Sequence, residues 1–269
     1  MNAVCVVCGE TNSKPLYPKY NINTCNGCGH VYYTGNLSDE DIKKIYKEEY
    51  FSGNEYSSYV SDKKIIQRNF KDRVKHIQKY KPDGKLIEIG SAYGFFMELA
   101  NEHYEAKGYE ICPEAAAYAR EQLKLNVTDE DFLVSPIPEN SVDVVCMYDC
   151  IEHLKNPEQF VEKIKNTLKP GGHFFLTTGD VGKFVPRFRK EKWRLINPPT
   201  HIHYFSKDTI TKLLNQHGLK VVNVRYPGLW RSNQLLINQV FRMKKLARMT
   251  PGYFWINTFD IMEVTAVKN

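Results

Sequence analysis

No apolar run in this sequence is long enough to cross a bilayer, and the N-terminus lacks the basic-then-apolar pattern of a secretory signal. Internal repeats and low-complexity tracts are also absent. We therefore predict a cytoplasmic protein. The sequence also lacks a large excess of charge of either sign: 37 Lys and Arg residues and 31 Asp and Glu residues leave a net charge of +6. This excess favours anionic partners but is too small to indicate nucleic acid.

Four of the seven cysteines form two close pairs with the spacing C-x2-C-x16-C-x2-C. This spacing is typical of a zinc site with four thiolate ligands, which leave no open position for a catalytic water. Two disulfides or a redox dithiol are the alternatives, but a cytoplasmic chain disfavours the first and the second leaves one pair unexplained. We predict a zinc ribbon over residues 1–33 with structural zinc bound by Cys5, Cys8, Cys25 and Cys28.

Residues 34–80 are predicted to form a helical linker or lid. Ser38 and Asp41 have the spacing of a capping box that begins a helix over residues 39–49, and apolar spacing predicts a second helix over residues 62–80. The stretch between them is rich in tyrosine. It either packs against the main domain or covers a ligand.

Strands and helices alternate from residue 85 onward, which predicts an α/β fold. The predicted strands cover residues 85–89, 106–110, 142–147, 173–178, 219–225 and 261–267. The predicted helices cover residues 94–103, 113–123, 157–168 and 206–217. In such sheets ligands bind at the carboxyl ends of the strands, and the last strand alternates in the manner of an edge strand.

The stretch LIEIGSAYGF, residues 86–95, turns from a strand into a helix at such an end. A dinucleotide fingerprint would need glycine at Ala92 and Phe95, and a phosphate-binding P-loop would need a lysine after its last glycine. The pattern that fits is an acid followed by two glycines, E-x-G-x-x-x-G, formed by Glu88, Gly90 and Gly94.

Together with three later segments, this motif resembles the class I S-adenosylmethionine-dependent methyltransferases. The segments are AKGYEICP, DEDFLVSPIPENSVDVVCMYDCIEHL and LKNPEQFVEKIKNTLKPGGHFFLTT. The resemblance implies a Rossmann-like seven-stranded sheet with helices on both faces and an antiparallel C-terminal hairpin, over residues 81–269. It also implies a cofactor site formed by Glu88, Gly90, Ser91, Gly94, Glu110, Asp131 and Phe132.

The resemblance assigns roles to these residues. Glu88 would anchor the amino-acid part of S-adenosylmethionine, Glu110 would accept hydrogen bonds from the ribose hydroxyls, and Asp131 with Phe132 would contact the adenine. For Glu110 the alternative is a surface acid that caps the following helix. The family usually has glycine at the position of Ala92.

The segment after residue 179 resembles a bacterial subgroup that modifies sugars or small metabolites, as in polysaccharide or natural product biosynthesis. It contains a Trp-Arg pair, two prolines and a histidine before YFS. The four-cysteine ribbon is also similar to that of sugar C-methyltransferases, which have a glutamate where Thr200 stands here. We therefore predict a hydroxyl acceptor on a sugar or an anionic metabolite.

A hydroxyl acceptor gains from a general base, and histidine suits that task near neutral pH. The candidates are His201, which would point into the cleft, and His153, with Asp149 beside them. His203 would point away if the segment is extended. Two histidines with Asp149 could also form a metal site, although their spacing does not favour one.

Other features concern partners. Six basic residues between Lys183 and Arg194 favour a phosphorylated acceptor, or form a solvated loop. A basic amphipathic stretch over residues 232–250 packs on its own domain or on a second subunit, or rests on a membrane. The alternative functions are an RNA methyltransferase that uses its ribbon to bind nucleic acid, and a noncatalytic binding protein. The ribbon has few basic residues, which argues against the first.

Overall fold

The structure is a computed structural model that describes residues 4–38, 41, 60, 62–233 and 252–269. The predicted helix over residues 39–49, the tyrosine-rich stretch after it and most of the basic stretch over 232–250 lie outside these residues. The predicted capping box is present: the Asp41 N–H donates to the Ser38 hydroxyl, and the Ser38 N–H donates to the Asp41 carboxylate. No helix among the described residues is long and apolar enough to cross a membrane.

The described strands fall into three sheets. The first sheet contains β1 (Ser13–Tyr17), β2 (Ile22–Cys25), β3 (Val31–Tyr33) and, much later in the chain, β9 (His203–Tyr204). The main sheet contains β4 (Lys85–Ile89), β5 (Glu105–Tyr109), β6 (Val127–Thr128), β7 (Val142–Tyr148), β8 (Leu168–Gly179), β10 (Leu219–Arg225) and β13 (Ile261–Lys268). A hairpin joins β11 (Leu229–Ser232) to β12 (Tyr253–Ile256).

The main sheet has the order β10-β13-β8-β7-β4-β5-β6. Strands β8 to β6 are parallel, and β13 runs antiparallel to both β8 and β10. This is the predicted seven-stranded, Rossmann-like sheet with an antiparallel C-terminal hairpin. The central strands β4 and β7 are buried on both faces, which explains why they read as short, mostly apolar runs in the sequence.

Helices cover both faces of this sheet. The described helices are α1 (Lys63–Gln78), α2 (Phe95–Ala100), α3 (Pro113–Glu121), α4 (Pro157–Thr167), α5 (Phe184–Arg189) and α6 (Lys207–Gln216). Helices α1, α2 and α3 bury apolar side chains against one face, and α4 and α6 bury theirs against the other. Alternate residues of each strand therefore belong to different clusters: Leu86 packs with the first set and Ile87 with the second.

The prediction of an edge strand at the C-terminal end was wrong. Strand β13 lies inside the sheet, between β8 and β10, and its residues are almost all buried. Polar and apolar residues alternate along β13, and its polar side chains face other buried polar groups rather than solvent. The Glu263 carboxylate accepts a hydrogen bond from Arg225 at 2.8 Å, and the Thr265 hydroxyl lies 3.1 Å from the His76 ring.

Strand β9 brings a segment from late in the chain into the small N-terminal sheet. Strand β3 pairs antiparallel with β9, placing Val31 opposite Tyr204 and Tyr32 opposite His203. Behind this pairing the buried rings of His30 and His203 meet at 3.1 Å. The ribbon is thus connected to the segment that follows His201.

Candidate functional site

A cavity of about 300 Å³ opens at the carboxyl ends of β4, β5 and β7. This volume is at the lower end of the range for small-molecule sites. Six of the seven residues predicted to bind the cofactor line it: Glu88, Gly90, Ser91, Glu110, Asp131 and Phe132. Four carboxyl groups and the Arg73 guanidinium also line it, so the wall suits a ligand that carries positive charge.

Gly94 is the predicted cofactor residue that is not part of this lining. Its backbone has φ +77°, and a Cβ atom there would lie 2.6 Å from Leu125 and 3.0 Å from Ala119. A packing role therefore accounts for this glycine. Gly90, by contrast, lines the cavity and also has a left-handed backbone, with φ +76°.

Two polar groups that line the cavity, the Glu88 carboxyl and the Arg73 guanidinium, leave buried atoms without partners. Glu88 is 3% exposed and Arg73 is 5% exposed, and neither Glu88 Oε2 nor Arg73 Nη1 has a hydrogen-bond partner. Burial raises the pKa of Glu88 well above its usual value, and Arg73 offsets part of that rise. An amino-acid zwitterion needs an acceptor for its ammonium and a donor for its carboxylate, so this pair fits the methionine end of the cofactor.

Glu110 is buried at the end of β5 and forms hydrogen bonds with the backbone of two turns. Its carboxylate accepts hydrogen bonds from the backbone N–H of Ala92 at 2.7 Å and from that of Cys112 at 2.9 Å. Cys112 precedes α3, but Glu110 is buried and no described side chain caps this helix, so Glu110 is not the surface capping acid of the alternative prediction. A carboxylate has about four acceptor positions, so ribose hydroxyls can still be bound. Burial raises the pKa of Glu110, while the two N–H groups lower it.

Ala92 stands in the left-handed region with φ +44°. A non-glycine residue there costs roughly 1–2 kcal/mol. The hydrogen bond from Ala92 to Glu110 holds this conformation, and it explains how alanine can occupy a position where glycine is usual in the resembling family.

An apolar slot forms another part of the cavity. The Phe132 ring is 2% exposed, stacks on Phe160 at 6.0 Å and meets Tyr109 edge-on at 5.4 Å. The exposed Asp131 carboxylate accepts the Leu133 N–H at 2.8 Å. A flat, aromatic-lined slot with an adjacent carboxylate fits a purine ring.

Three polar residues converge next to the cavity: Glu152, His153 and His201. Their ligand atoms all lie within 4.8 Å of one another, and the two histidine rings meet at 4.6 Å between centroids. His153 lines the cavity, whereas His201 does not line it and contacts the His153 ring. The structure therefore brings both predicted histidines together, with His153 nearer to the cofactor cavity.

Backbone carbonyl groups orient both histidine rings. His153 Nδ1 lies 3.0 Å from the Thr200 carbonyl, and His201 Nδ1 lies 2.8 Å from the Leu195 carbonyl. Each Nδ1 therefore carries the proton, and each Nε2 presents a lone pair. Enclosure and the neighbouring His153 lower the pKa of His201, while burial and Asp149 raise the pKa of Glu152 to about 7. Such a donor set could bind a divalent metal ion, and it could also move a proton.

The remaining predicted residues have other surroundings. Asp149 lines the cavity, contacts Arg73 at 3.3 Å and accepts a hydrogen bond from the Thr177 hydroxyl at 2.9 Å. His203 Nδ1 lies 3.1 Å from His30 Nε2, and His203 does not line the cavity. Burial lowers its pKa to about 4, so it is neutral.

Arg73 and Glu152 were missed by the sequence reasoning. Arg73 lies on a helix before the recognisable motifs, so no spacing links it to them. Glu152 stands beside His153 and looks like one acid among many. The available signal for Glu152 was its position immediately before a candidate catalytic histidine.

The four N-terminal cysteines lie close together and form no disulfide. The Sγ atoms of Cys5 and Cys28 are 3.7 Å apart, and those of Cys8 and Cys25 are 3.5 Å apart. Four sulfurs at about 2.3 Å from one zinc ion would be roughly 3.8 Å from each other. Gly9 and Gly29, with φ +73° and +74°, turn the chain after each pair. The arrangement fits structural zinc.

Known proteins show what the chain is similar to. A family model described as "Methyltransferase domain" matches residues 62–224. A protein of Mycolicibacterium smegmatis named "Probable S-adenosylmethionine-dependent methyltransferase" is 28% identical over 138 residues, which cover 51% of this chain and 52% of that protein. The ubiquinone biosynthesis O-methyltransferase of Cronobacter sakazakii is 26% identical over 101 residues, 35% of this chain and 42% of that protein. The chain thus spans about half of their length or less.

Solved structures share the fold. A SAM-dependent methyltransferase from Thermotoga maritima, described as a possible histamine N-methyltransferase, superposes with a TM-score of 0.57 at 17% identity. The match covers 83% of this chain and 99% of that one.

Proposed function

Because the chain belongs to the methyltransferase domain family, we propose that this S-adenosylmethionine-dependent enzyme methylates a hydroxyl of a small-molecule or sugar acceptor. When bound, the cofactor supplies an electrophilic methyl group on a sulfonium. The observation that carries the acceptor assignment is the cluster of His153, His201 and Glu152 at the wall of the cavity. An oxygen nucleophile needs a base at this place, and a relative with a matching segment is named an O-methyltransferase.

We assign the role of base to His153, because it lines the cavity while His201 does not. The Thr200 carbonyl accepts the hydrogen bond of Nδ1–H, and in this tautomer Nε2 is the basic nitrogen of the ring. His201 and Glu152 then act on the orientation and charge of His153. Thr200 precedes His201 directly, so one loop sets the positions of both rings.

An anionic acceptor is supported by the cations near Asp149. Arg194 reaches Asp260 at 3.1 Å, and Arg231 lies within electrostatic range of two cations, Arg194 and Arg73, and of two acids, Asp149 and Asp260. Among the described residues no ion pair neutralises Arg231. A carboxylate or phosphate on the acceptor would offset this repulsion between like charges.

The assignment of the cofactor is tested by calorimetric titration with S-adenosylhomocysteine. We expect Glu110→Ala to weaken binding about tenfold or more, because hydrogen bonds to a charged group contribute roughly 1.5–3 kcal/mol. Glu121→Ala, an exposed acid on α3, is the matched control and should bind like the unaltered protein. Equal affinity for all three proteins would contradict the role of Glu110, and no binding by any of them would contradict the proposed function.

Cofactor binding should also release a proton. The pKa of Glu88 is raised by burial, so in the free protein this carboxyl stays protonated above its usual value of 4.5. The ammonium of the ligand favours the ionised form, so affinity should rise with pH above 4.5 and level off above the raised pKa. Titrations in two buffers of different ionisation enthalpy measure the release. A pH-independent affinity for the unaltered protein, or an unchanged pH dependence in Glu88→Gln, would refute this linkage.

A further inference from the structure

An aromatic pair is presented to solvent at α5. Phe184 and Phe188 are 78% and 76% exposed, and their rings stack on each other at 5.8 Å with 14° between planes. They stand four residues apart, so both project from one face of the helix. Exposing two large apolar rings side by side is unfavourable in water, and an exposed apolar patch of this kind indicates an interaction site.

The opposite side of α5 is anchored, so the rings are held outward by packing. Pro186 is buried, and Val185 packs in a cluster with Trp193 and Tyr204. After α5, the buried Trp193 indole donates a hydrogen bond to Asp260 at 2.7 Å. The packing of Val185 and the hydrogen bond of Trp193 therefore hold the segment between them against the domain.

Cations surround the aromatic pair. Residues 183–194 contain six basic residues and one acid, Glu191. Lys183 lies over the Tyr226 ring at 3.8 Å and Arg194 contacts Asp260. The other four are exposed and make no ion pair among the described residues: Arg187, Arg189, Lys190 and Lys192. We name these four cations with Phe184 and Phe188 the α5 surface.

We propose that the α5 surface docks on an anionic membrane, with both phenylalanine rings inserted at the boundary of the acyl chains and the four cations against headgroup phosphates. Apolar rings flanked by lysine and arginine are the composition that binds such an interface. A nucleic acid would use the charges but would stack its bases on separate, open ring faces. Here the two rings already cover one face of each other.

The position of the α5 surface determines which edge of the main sheet would face the membrane. Helix α5 follows the carboxyl end of β8, on the same edge of the sheet as the cofactor cavity. A protein docked through α5 would hold this edge towards the bilayer. If the proposed function holds, an amphiphilic acceptor could then enter from the lipid phase; the docking itself does not depend on that function.

Flotation with lipid vesicles tests the proposal with the full chain. We expect at least tenfold stronger binding to vesicles of phosphatidylcholine with 30% phosphatidylglycerol than to pure phosphatidylcholine, and loss of this difference in high salt. Phe184→Ser with Phe188→Ser should lower binding about tenfold or more. Lys190→Gln with Lys192→Gln should lower binding to the anionic vesicles alone.

The matched control is Val134→Ser with Val222→Ser, which removes apolar groups that are 79% and 46% exposed elsewhere on the surface. This variant should bind vesicles like the unaltered protein, and all variants should keep their affinity for S-adenosylhomocysteine. Three outcomes would overturn the proposal: no binding to anionic vesicles, binding that survives loss of both rings, or ring-dependent binding of an RNA oligomer or of a second copy in place of vesicles. Loss of cofactor binding in the unaltered protein would instead count against the proposed function.

Discussion

We expect His153→Ala to lower kcat by about 10²- to 10⁴-fold, the usual contribution of a general base. The reason is that His153 lines the cavity, and its Nδ1 is held by the Thr200 carbonyl so that Nε2 can accept a proton. The measurement is transfer of a labelled methyl group to a panel of hydroxylated, anionic small molecules. The dissociation constant of the cofactor should change by less than about threefold.

Two comparisons make this result specific to a base. His201→Ala should have a smaller effect on kcat, because His201 contacts His153 but does not itself line the cavity. Removal of divalent ions with EDTA under conditions that leave the ribbon zinc bound, as checked by elemental analysis, should leave the rate unchanged if the cluster moves a proton. A larger loss in His201→Ala would transfer the role of base to His201. A rate that collapses with EDTA while one equivalent of zinc stays bound, and that recovers with added metal, would assign the cluster to a metal ion instead.

Loss of the four-thiolate site should abolish methyl transfer while leaving cofactor binding intact. In the variant Cys5→Ser with Cys8→Ser we expect bound zinc to fall from one equivalent to below a tenth by elemental analysis. We also expect at least a tenfold loss of rate. The physical reason is that β3 of the ribbon pairs with β9, immediately after the loop that holds both histidine rings. The cofactor cavity is built by β4, β5 and β7, which the ribbon does not contact through strand pairing.

Asn26→Ala is the control for this variant, since Asn26 is exposed in the second cysteine turn. It should retain zinc, rate and thermal midpoint. Loss of the metal should lower the midpoint by roughly 10 °C, as expected for a few kcal/mol in a domain of this size. A purified protein that contains no zinc, or a double serine variant with full activity, would refute a structural metal in the ribbon.

The main sheet was readable from the sequence for physical reasons. Parallel strands are buried on both faces, so they appear as short apolar runs between helical segments. Helix ends were also readable, because Ser206 with Thr209 forms a capping box and Pro157 begins α4. Strand β13 was misjudged as an edge because its polar residues find polar partners on α1 and β10, and no local pattern reveals such a partner.

The candidate site was readable only where a motif marks it. Six of the residues predicted to bind the cofactor line the cavity, because the family motifs fix their distances along the chain from the end of β4. Arg73 and Glu152 were missed because their roles arise from burial and from neighbours distant in sequence. Which of the two histidines, His153 or His201, lines the cavity could be seen only from their three-dimensional positions. Tertiary contacts, rather than propensity, decide which of two similar residues faces a ligand.

The pairing of β3 with β9 has a consequence for the order of folding. Val31 and Tyr204 are neighbours in that pairing but are separated by more than 170 positions along the chain. During synthesis, the cysteine turns can assemble early from local contacts, yet their sheet gains its fourth strand only after the sheet that supports β9 has emerged. Such a distant closure is slow, because the loop entropy must be overcome before the contact forms. Assembly of the loop that orients the two histidines is therefore expected to be a late step in folding.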